Sequence, residues 1–245
     1  MSSFQEPTDS DFGRRDYWND LYKDSLSSDA TDSKNDEKDG DGGNHSGTTA
    51  FSWYSGWDDL QPFLEEHFLL GKATRILLPG VGNDPLLRDL YDAGYHNLVA
   101  FDYAPEGVAR AKELLGPDRM ADVRVFCGDA RDLSEEETAS YDCIIEKGTL
   151  DAIHLAGGKD KQKGAEYVEM AIQEFARLTK PGGTGHIISI TAACVDAVKE
   201  GFEQQLLKDD GKNEWTVVRD GDFFVTDDGF TSNNIDGTYL VYRKA

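Results

Sequence analysis

Residues 76–85, ILLPGVGNDP, end an apolar run in two glycines one residue apart, followed by a polar pair and a proline. Bare backbone there lets a ligand come close; the alternative is a tight strand-to-helix turn that holds nothing. Pro85 takes the place of the third glycine of the dinucleotide fingerprint. That argues against a pyrophosphate and for a ligand with a ribose, no phosphate and positive charge. Asp102, in VAFDY about twenty residues on, stands where an acid receives a ribose hydroxyl pair, or else caps the next helix. Asp129, in CGDA, stands where an adenine can donate its amino hydrogens, and Glu146 and Lys147, in IIEKG, reach the same rim. Capping alone explains poorly why three successive strands end in an acid. S-adenosylmethionine, with a ribose, an adenine, a sulfonium and an amino acid tail, answers this pattern.

These residues need strands to end on and helices to turn them. RILLPG, HNLVAFDY, VRVFCGDA, YDCIIEKG and GHIISIT read as five strands. PLLRDLYDAG, PEGVARAKELLG, AEYVEMAIQEFARLTKPGG and VDAVKEGFEQQLL read as helices, with Pro near starts and Gly at stops. Asp84 and Pro85 suit the N-cap and first position of the helix after the glycine loop. Strands alternating with helices predict an α/β fold, a mostly parallel sheet covered on both faces. EWTVVRDGDFFV and GTYLVYRKA add two strands for a total of seven. Their short connection predicts a C-terminal antiparallel hairpin.

The whole chain sets outer bounds. Its 245 residues are 38% hydrophobic, with 12 Phe, 10 Tyr and 4 Trp, enough for a globular core. A formal net charge of −22 argues against nucleic acid or an anionic membrane as the main partner. That charge serves solubility, or steers a basic substrate. Cys127, Cys143 and Cys194 share no CxxC spacing and read as reduced thiols. The chain's start lacks a signal-peptide pattern and no run is apolar enough to span a membrane, so the expected placement is cytoplasmic, with nuclear as the alternative. Residues 24–47 hold seven acids, two lysines and no aromatics, and read as a disordered acidic insertion. It interrupts an N-terminal arm, residues 1–70, whose RRDYWNDLY and FSWYSGWDDLQPFLEEHFL are rich in aromatics. Trp18 and Tyr22, four apart, share one helix face. Residues 71–245 form the core.

RILLPGVGND, VAFDY, CGDA, IIEKGTLDA and LTKPGG, in this order, resemble a class I S-adenosylmethionine-dependent methyltransferase. EKGTLDA and the aromatic arm resemble a narrower branch, the lysine methyltransferases acting on a eukaryotic translation elongation factor and their citrate synthase-directed relatives. The resemblance implies a Rossmann-like methyltransferase fold and S-adenosylmethionine as cofactor. It implies that Trp18 and Tyr22 close the methionine end of the pocket, with Gly80 and Gly82 around the methionine portion. Asp102 and Tyr103 match the ribose acid and an adenine neighbour, Asp129 and Ala130 the adenine edge, and Glu146 and Lys147 the motif on the fourth strand. Glu146 and Asp151 are the candidate acids for recognising or deprotonating an ammonium, though Asp151 equally suits capping. Relatives usually read G-C-G-N-S where Val81 and Asp84 depart, and Asp84 brings a negative charge toward the cofactor. Phe51 stands where relatives often carry tyrosine.

The implied activity is methylation of a lysine on a protein substrate of basic character. The alternatives are a small-molecule methyltransferase and a non-catalytic cofactor-binding scaffold. Tyr54 and Trp57 either line a substrate channel or pack in the core, and Thr149 reads as structural. The five histidines show no metal-ligand spacing, so no metal is expected, and Cys194 has no histidine partner at a catalytic spacing. The chain is expected to act as a monomer.

Overall fold

The computed structural model describes residues 11–28, 50–67, 70–207, 214–222 and 237–245. Seven strands form one sheet: β1 (Ile76–Pro79), β2 (Leu98–Asp102), β3 (Arg124–Cys127), β4 (Cys143–Lys147), β5 (Gly185–Thr191), β6 (Trp215–Asp222) and β7 (Thr238–Lys244). Their order is β3-β2-β1-β4-β5-β7-β6. The first five run parallel, while β7 is antiparallel to both β5 and β6. The expected hairpin is present, and it is placed so that the later strand lies inside and β6 takes the edge.

Alternate residues of each buried strand serve opposite faces, as the pleat requires. Ile76, Leu78, Ile145 and Ile188 join one core cluster, and Leu77, Ile144 and Ile187 the other. Both faces are therefore apolar, which is why these strands read as continuous hydrophobic runs. Helices α2 (Trp57–Pro62), α3 (Leu86–Asp92) and α4 (Pro105–Leu115) cover the first face through Leu60, Leu90 and Leu115. Helices α5 (Thr149–Leu155), α6 (Lys161–Leu178) and α7 (Val195–Leu206) cover the second through Leu150, Phe175 and Phe202. Helix α5 falls in EKGTLDA, a stretch not assigned to a helix from the sequence, where Gly148 and two turns of mixed residues hide its short period.

The N-terminal helix α1 (Arg15–Ser28) carries Trp18 and Tyr22, both buried. It runs five residues into the segment read as a disordered acidic insertion; the rest of that segment, residues 29–47, lies outside the described residues. A short 3-10 turn, Asp11–Gly13, precedes it. No described helix is long and apolar enough to cross a membrane.

Candidate cofactor and acceptor site

The chain winds outward from β1 through β2 to β3, then returns to β4 on the other side of β1. At such a reversal the loops after β1 and β4 diverge, and a crevice opens beyond the carboxyl ends of the strands. A cavity of about 260 Å³ lies there. Among its lining residues are Trp18, Tyr22, Gly80, Asp102, Tyr103, Asp129, Ala130, Lys147 and Asp151. Gly82 is not among them; it lies one layer behind, against Tyr22.

Asp102 is 3% exposed yet reaches this cavity. Its carboxylate accepts the Gly82 N–H at 2.9 Å and the Ala104 N–H at 2.8 Å, tying the glycine loop to the end of β2. A carboxylate has about four acceptor positions and these bonds use two, which leaves others for a ligand's donors. Burial pushes its carboxyl up to about 6, against the pull of those backbone donors. At the end of β3, Asp129 is gripped by Arg131, whose Nη2 lies 2.6 Å from Oδ2. Burial raises the Asp129 carboxyl, but the Arg131 bonds outweigh it and the group stays below its usual range. The Arg131 guanidinium in turn lies 4.5 Å from the centroid of the Tyr167 ring.

The arm forms the roof. Trp18 stacks on Tyr22 at 5.8 Å between centroids, and its indole N–H donates to the Phe12 carbonyl at 2.6 Å. Trp53 meets Trp18 edge-on at 6.0 Å. Gly82, at φ +43°, allows the arm to come down: a Cβ there would sit 2.2 Å from the Tyr22 hydroxyl. Phe51 donates its backbone N–H to the Asn83 carbonyl at 3.1 Å, fastening the returning half of the arm to the same loop.

Asp84 does not intrude on the site as a bare charge. It lies 2.6 Å from the Lys147 ammonium, in a pair almost closed to solvent. It also accepts the Leu86 N–H at 2.9 Å, so it caps α3 although Pro85 holds the N-cap position. Lys147 additionally donates to the Ser52 hydroxyl and to the Ser55 carbonyl, each at 2.6 Å. This pairing of Asp84 with Lys147 was not read from the sequence; the co-occurrence of an acid and a lysine in the two rim motifs was its one signal.

Glu146 departs from the expected rim position. It is 0% exposed and is absent from the cavity wall. Its carboxyl accepts the N–H groups of Thr149 and Leu150, at 3.1 and 3.2 Å, and the Ser189 hydroxyl. In a strand, alternate side chains leave on opposite sides, and Glu146 points under the start of α5 while Lys147 takes the cavity side. Asp151, one turn into α5, does line the cavity. It accepts from the Thr191 hydroxyl and the Cys194 N–H, both at 2.7 Å. Burial raises its carboxyl despite these donors. Tyr54 lines the cavity, whereas Trp57 packs against the core. Thr149 braces the floor, its hydroxyl donating to the Pro79 carbonyl at 3.0 Å. The described residues contain no cluster of three His, Cys, Asp or Glu able to hold a metal ion.

The donor set fits an adenosyl cofactor. Asp102 has spare acceptor positions for ribose hydroxyls, Asp129 offers carboxylate oxygens at the far strand end, and Tyr103 and the arm supply flat apolar walls. The adjoining polar corner holds Asp151 and Tyr54.

Residues 77–187 match the family model of the methyltransferase domain. The chain is 30% identical over 181 residues to the mouse protein named EEF1A lysine methyltransferase 4, covering 72% of this chain and 60% of that one. It is 28% identical over 176 residues to a Drosophila melanogaster protein named eEF1A lysine and N-terminal methyltransferase homolog, covering 72% of this chain and 22% of that one. The chain thus spans less than two thirds of the length of these relatives. Among solved structures, N-methyltransferase NodS from Bradyrhizobium japonicum with S-adenosyl-L-homocysteine aligns at a TM-score of 0.53 and 17% identity, over 76% of this chain and 84% of NodS. The 4+2 cyclase SpnF aligns at 0.60 and 15% identity, over 97% of each chain. Identities this low establish a shared fold and nothing of activity. The matched segment, from β1 into β5, carries the floor of the cavity, and over it the chain is similar to methyltransferase domains.

Proposed function

We propose that this chain transfers a methyl group from S-adenosylmethionine to a lysine side chain of a protein, with eEF1A, named in its relatives, as the first substrate to try. The observation that carries this reading is the cavity at the strand reversal, acid-lined at its ribose and adenine positions, roofed by aromatics and ending in Asp151 and Tyr54. When bound, the cofactor supplies a methyl carbon already activated by its sulfonium. The chain's own task is to hold and orient, which by itself can contribute roughly 7–11 kcal/mol. Asp102 and Asp129 fix the adenosine, the arm over residues 1–70 covers it, and the core over 71–245 carries the floor. Asp151 favours a cationic or amine-bearing acceptor and orients it. Glu146 acts from beneath, holding the start of α5 so that Asp151 faces the cavity. The net charge of −22 suits a basic protein partner. Cytoplasmic placement and action as a monomer complete the reading.

The test is incubation of the full chain with methyl-labelled S-adenosylmethionine and either purified eEF1A or cell extract. Label in a protein band, stable to base and mapping to lysine, is the expected result. Label confined to small solutes would transfer the activity to a small-molecule acceptor. No transfer beside intact binding of S-adenosylhomocysteine would make the chain a binding scaffold.

A further inference from the structure

Tyr54 adopts a left-handed backbone, φ +63°, a conformation that bulky residues take where their surroundings impose it and one that clusters at functional sites. Lys147 imposes it here. Its ammonium grips the Ser52 hydroxyl and the Ser55 carbonyl on either side of Tyr54, and is itself anchored on Asp84. The Tyr239 hydroxyl adds a second hold, donating to the Ser55 hydroxyl at 2.6 Å. The ring then lies over Gly148, where a Cβ would stand 3.0 Å from its Cε2. So held, Tyr54 lines the same cavity as Asp151, and its phenol oxygen carries lone pairs that can accept there.

Charge distribution says what that oxygen is for. Asp84 and Asp129 are each matched by a cation, Lys147 and Arg131. The hydrogen-bond donors to Asp151 are all neutral: the Thr191 hydroxyl and the backbone N–H groups of Ala192 and Cys194. This corner is thus buried, acceptor-rich and open to a positive donor. We propose that Tyr54, positioned by Lys147, accepts a hydrogen bond from the acceptor amine and with Asp151 forms the amine-recognising end of the cavity. The proposal rests on the methyltransferase reading and assigns its acceptor side.

Two probes on the full chain separate the possibilities. S-adenosylhomocysteine has no group at the methyl position, whereas sinefungin carries an ammonium on the carbon that replaces sulfur and so presents an amine toward the acceptor. By calorimetry, Tyr54→Phe is expected to keep S-adenosylhomocysteine affinity within about twofold and to lower sinefungin affinity at least about fivefold, as loss of a bond to a charged group requires. Equal losses for both probes would place Tyr54 on the cofactor's own tail and overturn the proposal, and so would no loss for either. If the wild-type chain bound neither probe, the methyltransferase reading would fail first and take this one with it. Should Tyr54→Phe not fold, Asp151→Asn gives the same comparison. With a methylated protein in hand, Tyr54→Phe is further expected to lower kcat while the KM for cofactor holds.

Discussion

Glu146 is sealed from water, and burial pushes its carboxyl up to about 8 although Ser189 and two N–H groups pull the other way. The folded chain keeps a proton there that the unfolded chain releases above 4.5, so unfolding liberates a proton between pH 4.5 and about 8. Stability contributed by this group is therefore complete at low pH and lost as pH rises, by up to ~1.4 kcal/mol per pH unit. Asp102 acts in the same direction between 3.8 and about 6. Glu146→Gln, which keeps the shape and removes the charge, is expected to flatten the melting temperature between pH 5 and 8. A variant profile as steep as the wild type would mean that Glu146 is ionised in the fold. At this scale the sequence was read unevenly. Asp102 closes β2 and Asp129 follows β3 by two residues, and both line the cavity. Glu146 and Lys147 are neighbours in a strand whose pleat sends them to opposite sides, and a motif alone does not say which one faces the ligand. Tyr54's backbone conformation carried no signal, because glycine or asparagine would ordinarily mark it.

Among the elements, the contact between α1 and the glycine loop matters most to binding. Gly82 was read as a place of bare backbone for a ligand, and the structure gives that bareness to Tyr22. Gly82→Ala would drive a methyl group into the Tyr22 hydroxyl and place alanine at φ +43°, so α1 must lift. Binding of S-adenosylhomocysteine is expected to weaken more than about tenfold, the effect of losing a roof of buried aromatic contact worth upward of ~1.4 kcal/mol. Calorimetry reads this directly, and unchanged affinity would show that the arm does not cover the cofactor. Most elements were legible because the strands are buried on both faces and the longer helices keep a clear period. Helix α5 was not, being short and following a glycine. The inward placement of β7 was hidden too, since a hairpin's sequence does not say which of its strands pairs with the rest of the sheet.

For the whole molecule, charge is the property that acts beyond contact. With a net charge of −22, encounter with a basic protein is favoured at a distance. Raising ionic strength from about 0.1 M to about 1 M shortens the screening length from roughly 10 to roughly 3 Å. The value of kcat/KM for a lysine-bearing protein is expected to fall severalfold across that range, while affinity for S-adenosylhomocysteine, bound inside the cavity, changes little. Equal sensitivity of both would remove steering from the account.

The position of β7 between β5 and β6 also constrains when the sheet can close. As the chain is synthesised, β5 is complete with its outer edge unpaired, and β6 emerges before the strand it must lie against. Roughly 50 residues, several seconds of synthesis at about 5–20 residues per second, separate the end of β5 from β7. Through that interval the isoleucine-rich β5 remains a hydrophobic edge available to other chains, so solubility during synthesis depends on how quickly β7 docks.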